Sequence, residues 1–369
     1  YAAEYGRSAG GVIIATTKSG TNKLKGTLFE YLRNEKLDAA NLFAAVQNND
    51  KVRAPLRYNV FGGTVGGPVV IPKLYNGKDK TFFFFAYEGQ RRHEGQVRTL
   101  TVPGELEKAG NFSLTRTAAG ALVPIYDPAT TRTEGGRILR DVFPGNIIPA
   151  NRLDAAAKNI VGFYPVGNRA ADNASGANNF RANYVNILNR NNVTAKVDHQ
   201  LTSNDRVSVR YLYNSDNTDN TSVFPREAGE TIVPALRHQH FTYGSWTKVV
   251  SPEMINEIRF TYGDRINWTQ SAGLGQDWAT PLGLRGVPAG AFPAFVVTGY
   301  TNLGSTAQER KQFPIRQWQF IDNFSLVKGK HTMKFGFEMR PSYNYEVNRP
   351  LASGQFNFSP LGTGLPGTA

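Results

Sequence analysis

The chain has 369 residues, with 42 Lys plus Arg against 29 Asp plus Glu, a formal net charge of +13 and no Cys. Zero Cys excludes a disulfide scaffold, a thiolate zinc site and a Cys nucleophile at once. No apolar run approaches the about 18 residues that a transmembrane helix needs, and 12% aromatics exclude disorder of the whole chain. A membrane β-barrel stays open, because its strands are short and only half apolar.

The chain opens at Tyr1 without a basic or apolar leader, so it is expected to be an internal piece of a longer protein. Its charge is dispersed: residues 1–80 carry 12 basic and 6 acidic groups, 81–190 carry 13 and 9, and 191–369 carry 17 and 14. Nucleic-acid binders concentrate charge on one patch or helix, so nucleic acid is not expected as a partner.

In chain order, Val12 to Thr17 reads as a short apolar strand and 25–34 as a longer one. Residues 37–46 read as a short helix capped by Asp38, with Leu42, Phe43 and Val46 on one side. Residues 58–70 and 81–93 form a hairpin across the turn-rich connector 72–80. Gly62-Gly63-Thr64-Val65-Gly66-Gly67 lacks a following Lys-Ser/Thr and ends at Pro68. It therefore fails as a phosphate loop and suits close approach of a neighbouring backbone.

Three further hairpins follow: 192–201 with 205–214, 238–249 with 254–268, and 315–327 with 331–346. Their turns are short, whereas the stretches 96–190, 216–236 and 269–313 between them are long and rich in Gly, Pro and Asn. Soluble domains rarely carry structureless connections above about 15 residues. Outer-membrane barrels do, with short turns in the periplasm and long loops outside.

Within the hairpins the polarity alternates with period two. Met333, Phe335, Phe337, Met339, Tyr343 and Tyr345 share one parity; Ile258, Phe260, Tyr262, Ile266 and Trp268 share another run, with Asp264 as the exception. Val207, Val209, Tyr211 and Tyr213 repeat the pattern, as do Trp318, Phe320, Phe324 and Leu326. The opposite parity carries Lys196, Asp198, Arg206, Arg210, Glu257, Arg259, Arg265, Lys334, Glu338 and Arg340. Such charges are costly in a packed core and natural along a wet lumen. Ten-residue strands match a bilayer crossing of about 9–11 tilted residues, and Tyr and Trp near their ends suit the interface. A soluble β-rich binding or adhesion protein is the alternative; it would bury the Phe335, Phe337 and Met339 face against a second sheet.

No constellation for catalysis emerges. His238 and His240 share a face but lack the further ligands of a metal site. Asp216 to Asn220 lacks the Gly and terminal Glu of a calcium loop. No Gly-x-Ser-x-Gly is present, so the chain is not expected to be an enzyme or to hold a cofactor or metal.

Ala3-Glu4-Tyr5-Gly6-Arg7-Ser8-Ala9-Gly10-Gly11-Val12-Ile13, followed by Thr17-Lys18-Ser19-Gly20-Thr21-Asn22, resembles the end of the plug of TonB-dependent transporters. Leu28-Phe29-Glu30-Tyr31-Leu32-Arg33-Asn34, Asn59-Val60-Phe61-Gly62-Gly63, Asp79-Lys80-Thr81-Phe82-Phe83-Phe84-Phe85 and Phe143-Pro144-Gly145-Asn146-Ile147-Ile148-Pro149 resemble the Oar-like branch of that family. The resemblance implies a bacterial outer-membrane barrel of about 22 strands around a plug. The fold expected here is therefore all-β: a partial transmembrane antiparallel barrel of about nine strands over 23–369, after a plug end over 1–22. Arg7, Gly10, Gly11, Lys18, Gly20 and Asn22 would form the plug–barrel junction. The implied partners are the TonB complex, outer-membrane lipid and a solute captured by the external loops, whose identity the sequence does not reveal.

Overall fold

Alternating side chains place the backbone in one extended antiparallel sheet. The computed structural model describes residues 16–40, 42, 46–47, 50–51, 53–220, 222–225, 228–229, 235–288, 290–304 and 309–365. Nine long strands succeed one another in chain order: β1 (Lys25–Asn34), β2 (Leu56–Pro68), β3 (Thr81–Leu100), β4 (Phe180–Gln200), β5 (Asp205–Asn220), β6 (Ala235–Ser251), β7 (Met254–Gln270), β8 (Arg310–Lys328) and β9 (His331–Met339). Each pairs with its predecessor. After β9, Ser342–Asn344 and Val347–Arg349 continue along β8. Pro341, lacking an N–H, interrupts the ladder there, although its carbonyl accepts from the Trp318 amide at 3.0 Å. Among the described residues β1 pairs only with β2 and β9 only with β8, so both edges of the sheet are open.

The ladder is sheared in one direction. One rung runs Phe82, Asp198, Ser208, Ser245, Arg259, Ile321 and Glu338 across β3 to β9. From this rung the strand ends at the short turns lie progressively farther away: Thr81 by one residue, Gln200 by two, Ser251 by six and Lys328 by seven. A stagger of about one residue per strand is the tilt that a barrel wall requires.

Strands β3 to β8 run 16–21 residues, longer than the expected ranges of 10 to 15 residues. The predicted loops shrink accordingly to 101–179, 221–234 and 271–309. The extra length lies on the loop side, where polar residues occupy both faces and the alternation disappears; Asn189, Arg190, Asn191 and Asn192 are consecutive in β4. Such rungs exceed the about 9–11 tilted residues that a bilayer crossing takes. Tyr211, Tyr262 and Trp318 consequently sit mid-strand, six, eight and ten residues from the short-turn ends of β5, β7 and β8. The helix expected over 37–46 is absent from its described part: 35–37 form a turn, and Val46–Gln47 pair with Asp50–Lys51. The strand expected over 12–17 lies mostly outside the described residues.

Cross-strand partners share a face, and the register sorts the side chains cleanly. One face joins Phe85, Ala195, Tyr211, Thr242, Tyr262 and Trp318, then Phe83, Val197, Val209, Phe260, Phe320 and Met339 on the next rung. Among the described residues no second layer covers these side chains: Phe335, Phe337 and Met339 are more than half exposed to the surroundings. Charged exceptions on this face are few. Asp264 faces Arg316 directly across the ladder, 3.8 Å away, and Asp322 lies between Ile258 and Phe337.

The aliphatic and aromatic core sits elsewhere, among the loops. Val102, Tyr164, Phe224, Ala228, Leu282, Phe292, Phe295 and Leu303 form one buried cluster drawn from 101–179, 221–234 and 271–309. Phe295 stacks on Phe356 at 5.3 Å and meets Phe292 edge-on. Ala294–Val297 also pairs in parallel with Gln355–Phe358, tying the segment after β9 into the same assembly.

Replacing Phe337 by Lys puts a charge on the apolar face at a cost of about 2–4 kcal/mol near the bilayer midplane. The heat-shifted gel band of the assembled protein is expected to weaken strongly, while Gln317→Lys on the polar face leaves it unchanged.

Candidate functional site

The polar face is the chemically organised surface. Lys196 lies opposite Arg210, Arg206 opposite Thr247, Thr247 opposite Glu257, and Arg259 between Ser245 and Ile321. Asp198 lies opposite Ser208, Arg265 opposite Gln239, Lys334 opposite Ser325 and Glu338 opposite Ile321. The register thus puts nine of the ten charged residues singled out from the sequence on one face. Arg340, just past β9, donates to Glu338 and completes the set.

Charge on this face is largely paired. Asp198, 3% exposed, accepts from Lys196 at 3.0 Å and from Arg206 at 3.1 Å. Two cations on one buried carboxylate offset its loss of hydration, and removing either leaves a charge poorly compensated. Arg259 meets Glu257 at 2.5 Å. Arg190 grips Asp216 through Nε and a terminal nitrogen, at 2.5 and 3.0 Å. This last pair was missed from the sequence because both residues fall at the edges of predicted loops. Extending the even parity of Lys196 backward to Arg190 would have found it.

The N-terminal segment runs along this charged wall. Lys196 donates to Ser19 Oγ at 2.6 Å, and Arg210 donates to Thr17 Oγ1. Arg210 also covers the Tyr243 ring at 4.1 Å, an arrangement that holds its guanidinium by cation–π attraction. Asn22 and Asp79 bond reciprocally, the Asp79 amide donating at 2.8 Å. Gly20 passes so close to β2 and β3 that a Cβ would lie 2.3 Å from the Phe83 carbonyl and 2.6 Å from that of Gly67. Here the Gly-rich run has its use: a Cβ on Gly66 would lie 3.4 Å from the Gly20 Cα, and one on Gly67 would press on Leu24. Lys18 is exposed and has no acidic partner among the described residues. Arg7, Gly10 and Gly11 lie outside the described residues.

A cavity of about 440 Å³ opens between this segment and the wall, lined by Thr16, Thr17, Asp198, Arg206, Arg210 and Glu257 among others. Higher on the same face, Arg237, Gln239, Arg265, Asn267, Phe313 and Ile315 line a second one of about 340 Å³. His238 and His240 belong to the opposite, outward face, where their Nδ1 atoms meet Tyr213 and Tyr211 hydroxyls at 3.1 and 2.7 Å. Among the described residues no group of His, Asp and Glu is arranged to hold a metal ion.

A continuous ladder, an apolar face with no covering layer and a charged inner face describe a wall of an outer-membrane barrel. The profile of the outer membrane beta barrel domain matches residues 16–369. The chain belongs to that family. Its location is therefore the bacterial outer membrane, with the apolar face toward lipid. Over 102 residues the chain is also 31% identical to the TonB-dependent transporter Oar of Myxococcus xanthus, a match covering 27% of this chain and 9% of the transporter.

On the outer side the barrel wall carries a packed cap rather than free loops. Tyr164, buried, donates to the Thr301 carbonyl at 2.7 Å; burial pushes its hydroxyl pKa well above the usual range. The Thr301 amide donates to Thr101 and the Gly304 amide to Ala228, so three loops are joined by backbone bonds. Arg152 clamps Asp127 bidentately at 2.5 and 2.7 Å and holds that carboxyl below its ordinary pKa. Phe295→Ala is expected to remove about 3–5 kcal/mol of local stability from the cap. Limited proteolysis of intact cells should then cut within 101–179 or 271–309 much faster, while the heat-shifted barrel band persists.

Proposed function

We propose that this barrel wall belongs to a TonB-dependent transporter or receptor of the Oar-like kind. In this reading residues 16–22 end a plug and 23–369 supply the N-terminal part of the barrel around it. The observation that carries the reading is the seating of Thr17, Ser19 and Gly20 against the lumen face through Arg210, Lys196 and the backbone of Gly67 and Phe83. A barrel wall that serves only as a pore has no need to hold a non-strand segment on its charged rungs. The resemblance of the N-terminal motifs to plug ends and the partial match to a transporter support the same reading.

The mechanism follows from the type of contact. Ser19 and Thr17 are neutral acceptors for cations that also have other partners: Lys196 keeps Asp198, and Arg210 keeps the Tyr243 ring. Net hydrogen bonds of this type are worth about 1.5–3 kcal/mol each. The segment is thus held firmly at rest yet can be detached by mechanical work without stranding a buried charge. The cap loops would capture the solute, and the paired charges of the lumen would keep the path wet while the plug rearranges.

The absence of Cys permits a clean test. In full-length protein carrying Ser19→Cys, a membrane-permeant maleimide should label position 19 several-fold faster in energised cells than in cells lacking TonB or treated with a protonophore. Labelling at the same rate in all three would contradict the proposal.

A further inference from the structure

Near the outer mouth of the lumen, three adjacent strands present a two-rung grid: Arg237, Asn267 and Phe313 on one rung, Gln239, Arg265 and Ile315 on the next. These six side chains line the cavity of about 340 Å³. Elsewhere on the face most acids have cationic partners: Asp198 has two, and Asp216, Glu257, Glu338 and Glu346 have at least one each, while Glu88 accepts from Asn192 instead. Arg237 and Arg265 differ. Neither has an acidic partner among the described residues. Asp216, across the ladder from Arg237, has both oxygens engaged by Arg190, and Arg237 Nε reaches only Asn267 Oδ1, at 3.4 Å.

Diagonal positions on neighbouring strands are about 7–8 Å apart, so two guanidinium groups placed there repel each other unless an anion lies between them. Guanidinium planes bind carboxylate and phosphate through paired N–H donors. Gln239 and Asn267 add neutral donors, and Phe313 and Ile315 supply an apolar wall beside the charge. Arg237 is the third residue of β6, so the grid lies immediately beneath the loop cap, where an entering solute first meets the lumen.

We infer that this grid is a recognition subsite for an organic anion, a solute carrying a carboxylate or phosphate group next to an apolar portion. The inference rests on the transport reading for its purpose, since it assigns the chemistry of the solute that the lumen accepts. It does not depend on that reading for binding itself.

The test uses full-length protein in non-ionic detergent with phenyl phosphate as probe, followed by titration calorimetry at low salt. Saturable binding is expected, weakening as salt rises. Arg237→Gln with Arg265→Gln should weaken it about tenfold or more, since two charge-assisted hydrogen-bonding groups are lost. Each single substitution should give a smaller loss, which serves as the test if the double variant does not assemble. Phenyl glucoside, uncharged, should bind far more weakly, and Arg316→Gln on the outward face should change nothing. The inference is overturned by no saturable binding, by undiminished binding in the Arg237 and Arg265 variants, by equal loss in Arg316→Gln, or by equal affinity for the glucoside. Anion binding without TonB-dependent labelling of position 19 would retain the subsite and remove the transport role; the reverse result would remove the subsite alone.

Discussion

Hydrocarbon offers no hydrogen-bond partner to a peptide group, and this constraint organises the whole chain. Each N–H and C=O that crosses the bilayer must be satisfied by a neighbouring strand, which produces the unbroken run of pairings from β1 to β9. Once the ladder is fixed, side chains have only two directions. Lipid selects Phe, Val, Trp and Met for one of them, and water in the lumen selects Lys, Arg, Asp and Glu for the other. The one-residue stagger between strands follows from tilting that ladder into a curved wall.

Because the ladder imposes period two, the wall was legible residue by residue. The hairpin partners, the lipid parity of Phe335 and Phe337 and the inner parity of Lys196, Arg210 and Glu257 all follow from alternation alone. Legibility ended where the constraint ends. Above the aromatic positions Tyr211, Tyr262 and Trp318, water contacts both faces, so strands such as Phe180–Gln200 continue without any alternation to reveal them. The Arg190–Asp216 pair lies in that region. The loop core was equally hidden: Val102, Phe224, Leu282 and Phe295 come from distant segments and share no spacing, since only three-dimensional packing brings them together. The helix expected over 37–46 rested on three apolar residues and one capping Asp, too little to outweigh tertiary context.

The cap changes the meaning of the long connections. Lengths that looked like structureless loops instead bury a cluster of aromatic and aliphatic side chains, cross-linked by backbone bonds from Thr301 and Gly304. A cap with its own core can present a fixed surface to a solute. Beneath it the lumen face changes character along its height: the docked segment lies low against Lys196 and Arg210, and at the mouth the Arg190–Asp216 pair stands beside two arginines that have no acidic partner among the described residues. In the proposed transport role, this order would let recognition precede passage.

The central claim is that the two parities of each strand face different solvents. A scan of single cysteines through residues 333–339 of the otherwise Cys-free full-length protein, in intact outer membranes, tests it most directly. At 333, 335, 337 and 339, labelling by a lipid-soluble maleimide is predicted to dominate. At 334, 336 and 338, a charged maleimide that reaches the lumen is predicted to dominate. Uniform labelling along the segment, or charged-reagent labelling at 335 and 337, would contradict the account.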